Sequence, residues 1–145
     1  MKKRLIVSVF LCLLLCLAGC GDSKEPVQTA PEGPSCTVSI SCATVLNNMD
    51  LLEEQKKPLI PEDGWLLKEI TVPLAEGESA FDILLKACQD NKIHMEYMDS
   101  PIYDSAYIEG IGNLYEFDVG PLSGWMYSVN GWFPNYGCSR YALQD

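Results

Sequence analysis

Histidine is almost missing from this chain: His94 is the only one in 145 residues. A Ser-His-Asp or Cys-His system therefore has one place to form, and no obvious nucleophile stands near His94 in sequence. There is no Gly-x-Ser-x-Gly elbow and no phosphate-cradling glycine loop, so the commonest hydrolase and nucleotide-binding signatures are absent. No Cys-x-x-Cys pair occurs, which argues against a zinc knuckle. Basic residues are scarce, with 10 Lys and Arg against 20 Asp and Glu. That balance argues against nucleic acid, whose phosphates are held by Lys and Arg, and against direct adhesion to an anionic lipid surface. The sequence reads as non-enzymatic. No apolar run reaches the roughly 20 residues that span a bilayer.

What is present begins at the N-terminus. Met1-Lys2-Lys3-Arg4 is a short basic start, and Leu5–Ala18 is almost wholly apolar and uncharged. A basic segment followed by such a run is the secretory pattern. It ends on Leu17-Ala18-Gly19-Cys20, which resembles the lipobox of bacterial lipoproteins. The resemblance implies cleavage before Cys20, so that residues 1–19 are the signal peptide, and diacylation of the Cys20 thiol. Each buried acyl CH₂ contributes about 0.8 kcal/mol, so two chains hold a protein firmly at the membrane, here facing outside. Gly21–Ser35, GDSKEPVQTAPEGPS, has three prolines, two glycines and no aromatic residue. Such a stretch cannot bury a core and reads as a flexible linker over residues 20–35. Loss of Lys2, Lys3 and Arg4 would leave 20 acids facing 7 bases, a net of about −13. The acids are scattered, as on a solvated face.

Residues 36–145 are then one domain. Cys36–Cys42 alternates, with Cys36, Val38, Ile40 and Cys42 on one face, and predicts a strand that Thr44, Val45 and Leu46 extend. Trp65–Val72 predicts a second strand. Ser79 or Glu78 caps a helix carrying Phe81, Leu84, Leu85 and Cys88 on its apolar stripe, widened by Ile83 and Ala87. Ile93, Met95 and Tyr97 alternate as a third strand. Ala106–Gly112 and Asn113–Val119 read as short strands, and Gly124–Val129 as a strand entering an Asn130-Gly131 hairpin turn. The class is α+β, with a sheet packed on one main helix. Cys36, Cys42, Cys88 and Cys138 allow three disulfide pairings or four free thiols. A straight strand holds Cys36 and Cys42 about 20 Å apart, whereas a disulfide needs Cα atoms within about 7 Å, so that pairing is disfavoured.

Two stretches carry a further resemblance. Glu76-Gly77-Glu78-Ser79-Ala80-Phe81-Asp82-Ile83-Leu84-Leu85-Lys86-Ala87 resembles the helix opening of transcobalamin-like C-terminal domains. Gly124-Trp125-Met126-Tyr127-Ser128-Val129-Asn130-Gly131, followed by Gly137 and Tyr141, resembles their aromatic hairpin. The resemblance implies a β-grasp-like mixed sheet and, as ligand, cobalamin or a related corrinoid. Members of that family usually continue with a Gly-Asp turn and a final apolar strand; here Leu143-Gln144-Asp145 stands in that place, so either the sequence is truncated or that strand is absent.

The aromatic loop is the expected ligand site. Trp132, Phe133 and Tyr136 stand with Pro134 and Gly137 just after Asn130, and exposed aromatics on a fixed loop suit a flat ligand or a partner protein. Trp125 is expected in the core. His94 is a candidate axial ligand to a corrinoid cobalt, with a plain surface position as the alternative. Asp99, Asp104, Glu109, Glu116 and Asp118 could gather round calcium, although their spacing does not match an EF-hand loop. The functions in view are a membrane-anchored binding lipoprotein for a corrinoid, a cell-surface module for a protein or polysaccharide, and a metal-binding lipoprotein.

Overall fold

The computed structural model describes residues 33–144. The signal-peptide and lipidation readings, Cys20 included, and almost all of the linker lie outside that range. Among the described residues no helix is long and apolar enough to cross a membrane.

The first strand forms where the alternation predicts it. β1 (Ser35–Ser41) pairs antiparallel with β2 (Trp65–Pro73), and Cys36, Val38 and Ile40 turn inward while Thr37, Ser39 and Ser41 stay exposed. β1 thus starts one residue inside the stretch read as linker. It does not continue through Leu46. The ladder ends at Ser41↔Trp65, and the Ser41 hydroxyl then accepts the Ala43 N–H at 3.2 Å. The chain turns into a 3-10 helix, Ala43–Asn47, which buries Val45. With no β2 residue left opposite, a strand there would have no ladder partner. Gly64 closes the corner: its φ is +71°, its carbonyl takes the Cys42 N–H at 2.8 Å, and a Cβ there would meet the Ala43 Cα at 2.6 Å.

Register shifts interrupt the ladder on either side of Ile40, opposite Leu67. A bulge places one extra residue on the bulged strand and breaks the two-residue alternation. Leu66 and Leu67, neighbours in sequence, consequently both pack inward and serve different clusters. Leu66 packs against Cys42, Val45, Leu52 and Leu114, Leu67 against Val72, Leu74, Ile83 and Ala87, and both against Ile40, Cys88 and Ile111.

Helix α1 (Ala80–Asp90) starts in a full capping box. The Ser79 hydroxyl accepts the Asp82 N–H, and the Asp82 carboxylate accepts the Ser79 N–H at 2.8 Å and its hydroxyl at 2.6 Å. The buried face is Ile83, Ala87 and Cys88. The stripe is therefore centred one position away from the expected Phe81–Leu84–Leu85–Cys88 line. Leu84 still packs beside Cys88, Phe81 turns edge-on to Tyr97 with ring centroids 4.8 Å apart, and Leu85 is half-buried outside these clusters.

β3 (Met95–Ser100), β4 (Ser105–Ile111) and β5 (Leu114–Tyr115) form a second antiparallel sheet in that order. The class is α+β, with one α-helix and two antiparallel sheets among the described residues rather than one mixed sheet. Tight turns explain this. Pro101–Asp104 and Gly112–Asn113 are too short for a crossover, so each strand folds back on its neighbour. β5 is two residues long, not the predicted Asn113–Val119. Phe117 has a φ of +67° and the Asp118 carboxylate accepts the Tyr115 N–H at 2.8 Å, which bends the chain out of the ladder.

Gly124–Val129 is also not a paired strand. Its burial alternates as predicted, with Trp125, Tyr127 and Val129 half-buried and Met126 and Ser128 exposed. Among the described residues, however, no backbone–backbone bond reaches Gly124 to Ser128. The Asn130-Gly131 turn does form, with φ of +50° and +80°, and closes reciprocal Val129–Trp132 bonds of 2.9 and 3.0 Å. Both residues in the left-handed region define the type I′ hairpin turn. The chain returns to the helix start: the Tyr141 carbonyl accepts the Ala80 N–H at 2.9 Å, and Leu143 N–H reaches the Glu78 carbonyl at 2.8 Å.

Candidate functional site

A groove of about 1080 Å³ runs between these parts. Its lining includes β1 from Ser35 to Ser41, the extended Trp125–Asn130 segment, the aromatic loop, and the C-terminal Tyr141–Gln144. Ile83 and Leu84 of α1 and Ile108 and Ile111 of β4 also face it. All four expected ligand-site residues, Asn130, Trp132, Phe133 and Tyr136, lie on its wall. Trp132 and Phe133 are more than half exposed, at 54% and 59%, so neither is used up by packing.

The aromatics are held as a group, and Tyr141 is its centre. Its ring stacks on Tyr136 at 6.2 Å with a 16° interplanar angle, meets Trp132 at 6.0 Å, and takes Tyr127 edge-on at 6.2 Å. Each such pair contributes about 0.5–1.5 kcal/mol beyond area burial. The Tyr127 hydroxyl donates to the Tyr136 carbonyl at 2.9 Å. Desolvation, with a smaller repulsion from Cys138, pushes the Tyr127 phenol up to about 12. It is therefore a neutral donor across the physiological range, and it pins the loop from below. Gly137 lets the loop lie against β4, since a Cβ there would fall 1.7 Å from the Ser105 Oγ. Ser139 fixes the following turn by accepting the Ala106 N–H at 2.9 Å and meeting the Ser105 hydroxyl at 2.9 Å.

Among the described residues the groove lining carries no charge: although Asp, Glu, Lys and Arg make up 21% of the chain, none of the described ones, and no histidine, lines it. Its polar groups are Ser, Thr, Asn, Gln and Tyr side chains and main-chain amides. Such a wall offers hydrogen bonds and aromatic faces, with nothing to neutralise a phosphate, a carboxylate or a cation. The four cysteines are free thiols. Burial raises the pKa of Cys36, Cys42, Cys88 and Cys138, to about 11 for Cys88, so none is activated as a nucleophile.

The remaining candidates lie elsewhere. His94 is outside the groove; its Nε2 is 2.8 Å from the Glu96 carboxylate, which also accepts the Tyr115 hydroxyl at 2.7 Å. An axial ligand for a corrinoid seated in the groove would not come from His94. Asp99, Asp104, Glu109, Glu116 and Asp118 do not gather: among the described residues no three His, Cys, Asp or Glu side chains could share a metal ion. Asp118 is instead paired with Lys56 at 2.6 Å, and Glu116 accepts the Tyr107 hydroxyl. The β1 side of the site, and the central place of Tyr141, could not be read from local sequence. Those residues are 100 positions apart and meet only in the fold.

The class these features define is a small α+β domain with an uncharged, aromatic-walled groove. Residues 77–145 match a family model described as Domain of unknown function (DUF4430). That match takes in α1, the second sheet and the aromatic loop, while β1 and β2 precede it. No curated protein and no solved structure matches the chain.

Proposed function

We propose that this chain is an extracytoplasmic binding lipoprotein, anchored through Cys20, that holds its ligand in the aromatic groove. The observation that carries the reading is the convergence of Asn130, Trp132, Phe133 and Tyr136 on one open, uncharged wall. Exposed Trp and Phe edges cost free energy in water and gain it against an apolar face, while Tyr136 keeps a polar tip. The transcobalamin-like resemblance makes cobalamin or a related corrinoid the first ligand to test. The corrin face is flat and rimmed by amides, which suits a wall of aromatic faces and neutral hydrogen-bonding groups, with the phosphodiester of cobalamin's nucleotide loop left in solvent. The work proposed is binding.

A second reading, a cell-surface interaction module for another protein, is favoured by one observation. Trp125–Ser128, whose backbone has no main-chain partner among the described residues, lines the same groove. Native mass spectrometry of residues 33–145 mixed with cobalamin, calcium and a metabolite pool separates the readings. A cobalamin adduct supports the first. Its absence, with no adduct from the pool, removes the small-molecule reading.

A further inference from the structure

We propose that the tip of the β3–β4 hairpin, Ile102 and Tyr103, is a second membrane contact: it dips into the headgroup region of the bilayer that holds the Cys20 lipid, and so orients the domain. This rests on the reading of Cys20 as an anchor. The chain enters the domain at Ser35, which opens β1 opposite Pro73 at the end of β2, and Leu74 N–H donates to the Pro34 carbonyl at 2.9 Å. β1 then runs to Ile40, which packs with Cys88 late in α1 and Ile111 at the end of β4. The starts of β1, α1 and β4 thus share one end of the domain. Local bonds agree: Ala80 N–H meets the Tyr141 carbonyl at 2.9 Å, and Ala106 N–H meets the nearby Ser139 hydroxyl at 2.9 Å. The β3–β4 turn reaches past the helix at this same end. Tyr97 stands against Phe81 in the first turn of α1, and β3 continues from there to Ser100, about 10 Å further at roughly 3.3 Å per residue.

The tip is a closed turn. Tyr103 N–H donates to the Ser100 carbonyl at 3.2 Å, Pro101 sets the second position, and Asp104, with a φ of +46°, turns the chain back into β4. The turn holds Ile102 87% and Tyr103 67% exposed, with Met98 of β3 at 51%, and none of the three packs in the core clusters. An aliphatic side chain beside a tyrosine suits a membrane interface, where the ring sits at headgroup level and the hydroxyl stays wet. The backbone suits it too: Pro101 has no N–H and that of Tyr103 is bonded, so shallow insertion strands neither. No Lys or Arg lies between Met95 and Ile111, while Asp99 and Asp104 flank the turn. Anionic headgroups therefore offer no attraction, and the contact is with a zwitterionic interface. Such a contact is weak alone and depends on the tether. Gly21–Pro34 spans at most about 50 Å, which keeps the Ser35 end of the domain close to the bilayer and raises the effective concentration of the tip there. Leu122 gives the contrast: it is 98% exposed, but its turn adjoins Val119 of the Cys42 cluster, at the other end of β1.

The test uses the full chain, processed in bacterial cells and placed in phosphatidylcholine nanodiscs. Fatty-acid labelling of Cys20 is read first. Methyl NMR then compares discs with and without a lipid carrying a nitroxide on its acyl chain, whose spin broadens nearby methyl signals. The Ile102 methyl should lose at least half its intensity while the Leu122 methyls keep nearly all of theirs. Tyr103→Asp, at an exposed turn position, should restore the Ile102 signal without moving the core methyls, and replacing half of the lipid with phosphatidylglycerol should restore it in part. With Cys20 labelled, equal broadening at Ile102 and Leu122, no broadening at either, or a loss at Ile102 that Tyr103→Asp leaves unchanged overturns the oriented contact and leaves the anchor standing. An unlabelled Cys20 overturns the anchor and this inference with it.

Discussion

Trp125 donates its indole N–H to the Leu114 carbonyl at 2.9 Å, and this bond ties the unladdered segment to the end of the second sheet. It packs against both the Cys42–Val45–Leu52–Leu114 cluster and the Ile40–Cys88–Ile111 cluster, and it lines the groove. Gly124–Ser128 has no main-chain bonds among the described residues, so side chains position the segment: Trp125 through this bond, and Tyr127 through its hydroxyl on the Tyr136 carbonyl. Trp125→Phe should keep much of the packing and lose the bond, costing about 0.5–1.5 kcal/mol. Trp125→Ala should cost about 3–5 kcal/mol. Urea melts measure both; equal effects would show that the bond and the ring volume do not contribute separately.

The helix face supplies a second test. Ile83→Ala removes a side chain only 3% exposed and should cost about 2–5 kcal/mol. Leu85→Ala, at a half-buried site outside the clusters, should cost clearly less. Lys86→Ala should lose under about 1 kcal/mol, since the Lys86–Glu78 ion pair is partly exposed. Thermal melts showing Leu85 as costly as Ile83 would move the buried face back to the line that the sequence predicts.

The helix cap makes an acid-side prediction. The Asp82 pKa is lowered, first by the Ser79 hydroxyl and then by its N–H. A depressed carboxylate contributes stability above its unfolded pKa and loses it as pH falls through the folded one. Stability should therefore drop below about pH 4. Ser79→Ala should cost about 1 kcal/mol at pH 7 and reduce that acid dependence. An unchanged urea midpoint for Ser79→Ala would contradict the cap.

Cys88 predicts the alkaline side. Desolvation raises its pKa from 9.0 to about 11. A raised thiol contributes stability that is complete below its unfolded pKa and is lost as pH rises through the folded one. Stability should fall between about pH 9 and pH 11, and Cys88→Ala should flatten that part of the curve relative to wild type, whatever its cost at pH 7. Parallel curves for the two proteins would show that Cys88 is not the titrating group.

Lipidation is tested in the full chain. Cys20→Ala should abolish fatty-acid labelling and leave the precursor uncut, because the lipobox resemblance implies that Cys20 is both the acyl acceptor and the residue before which cleavage occurs. Normal labelling of the variant would contradict the anchor.

The sequence made local features legible and long-range ones opaque. The alternation of Cys36, Val38 and Ile40, the helix cap at Ser79 and the Asn130-Gly131 turn each depend on residues within a few positions, and each forms as read, Ser79 and not Glu78 being the cap. Thr44–Leu46 has strand-like residues but no partner, and Asn113–Val119 is bent by Phe117 and Asp118, so both strand readings depended on pairing that local composition does not encode. The site shows the same division. Exposed aromatics near a turn identified one wall, whereas the β1 wall and the Tyr141 hub needed the fold to bring the chain ends together.

That the aromatic groove is the ligand site is tested most directly by calorimetric titration of cobalamin into wild type, Trp132→Ala and Tyr136→Ala. A lost contact of about 1.4 kcal/mol raises Kd tenfold. The expected result is saturable one-site binding by wild type and roughly tenfold weaker binding by each variant, with each variant still folded at the titration temperature although its thermal midpoint falls with the lost ring pairs. Binding by wild type that neither substitution alters would place the ligand elsewhere on the domain and contradict the assignment of the groove.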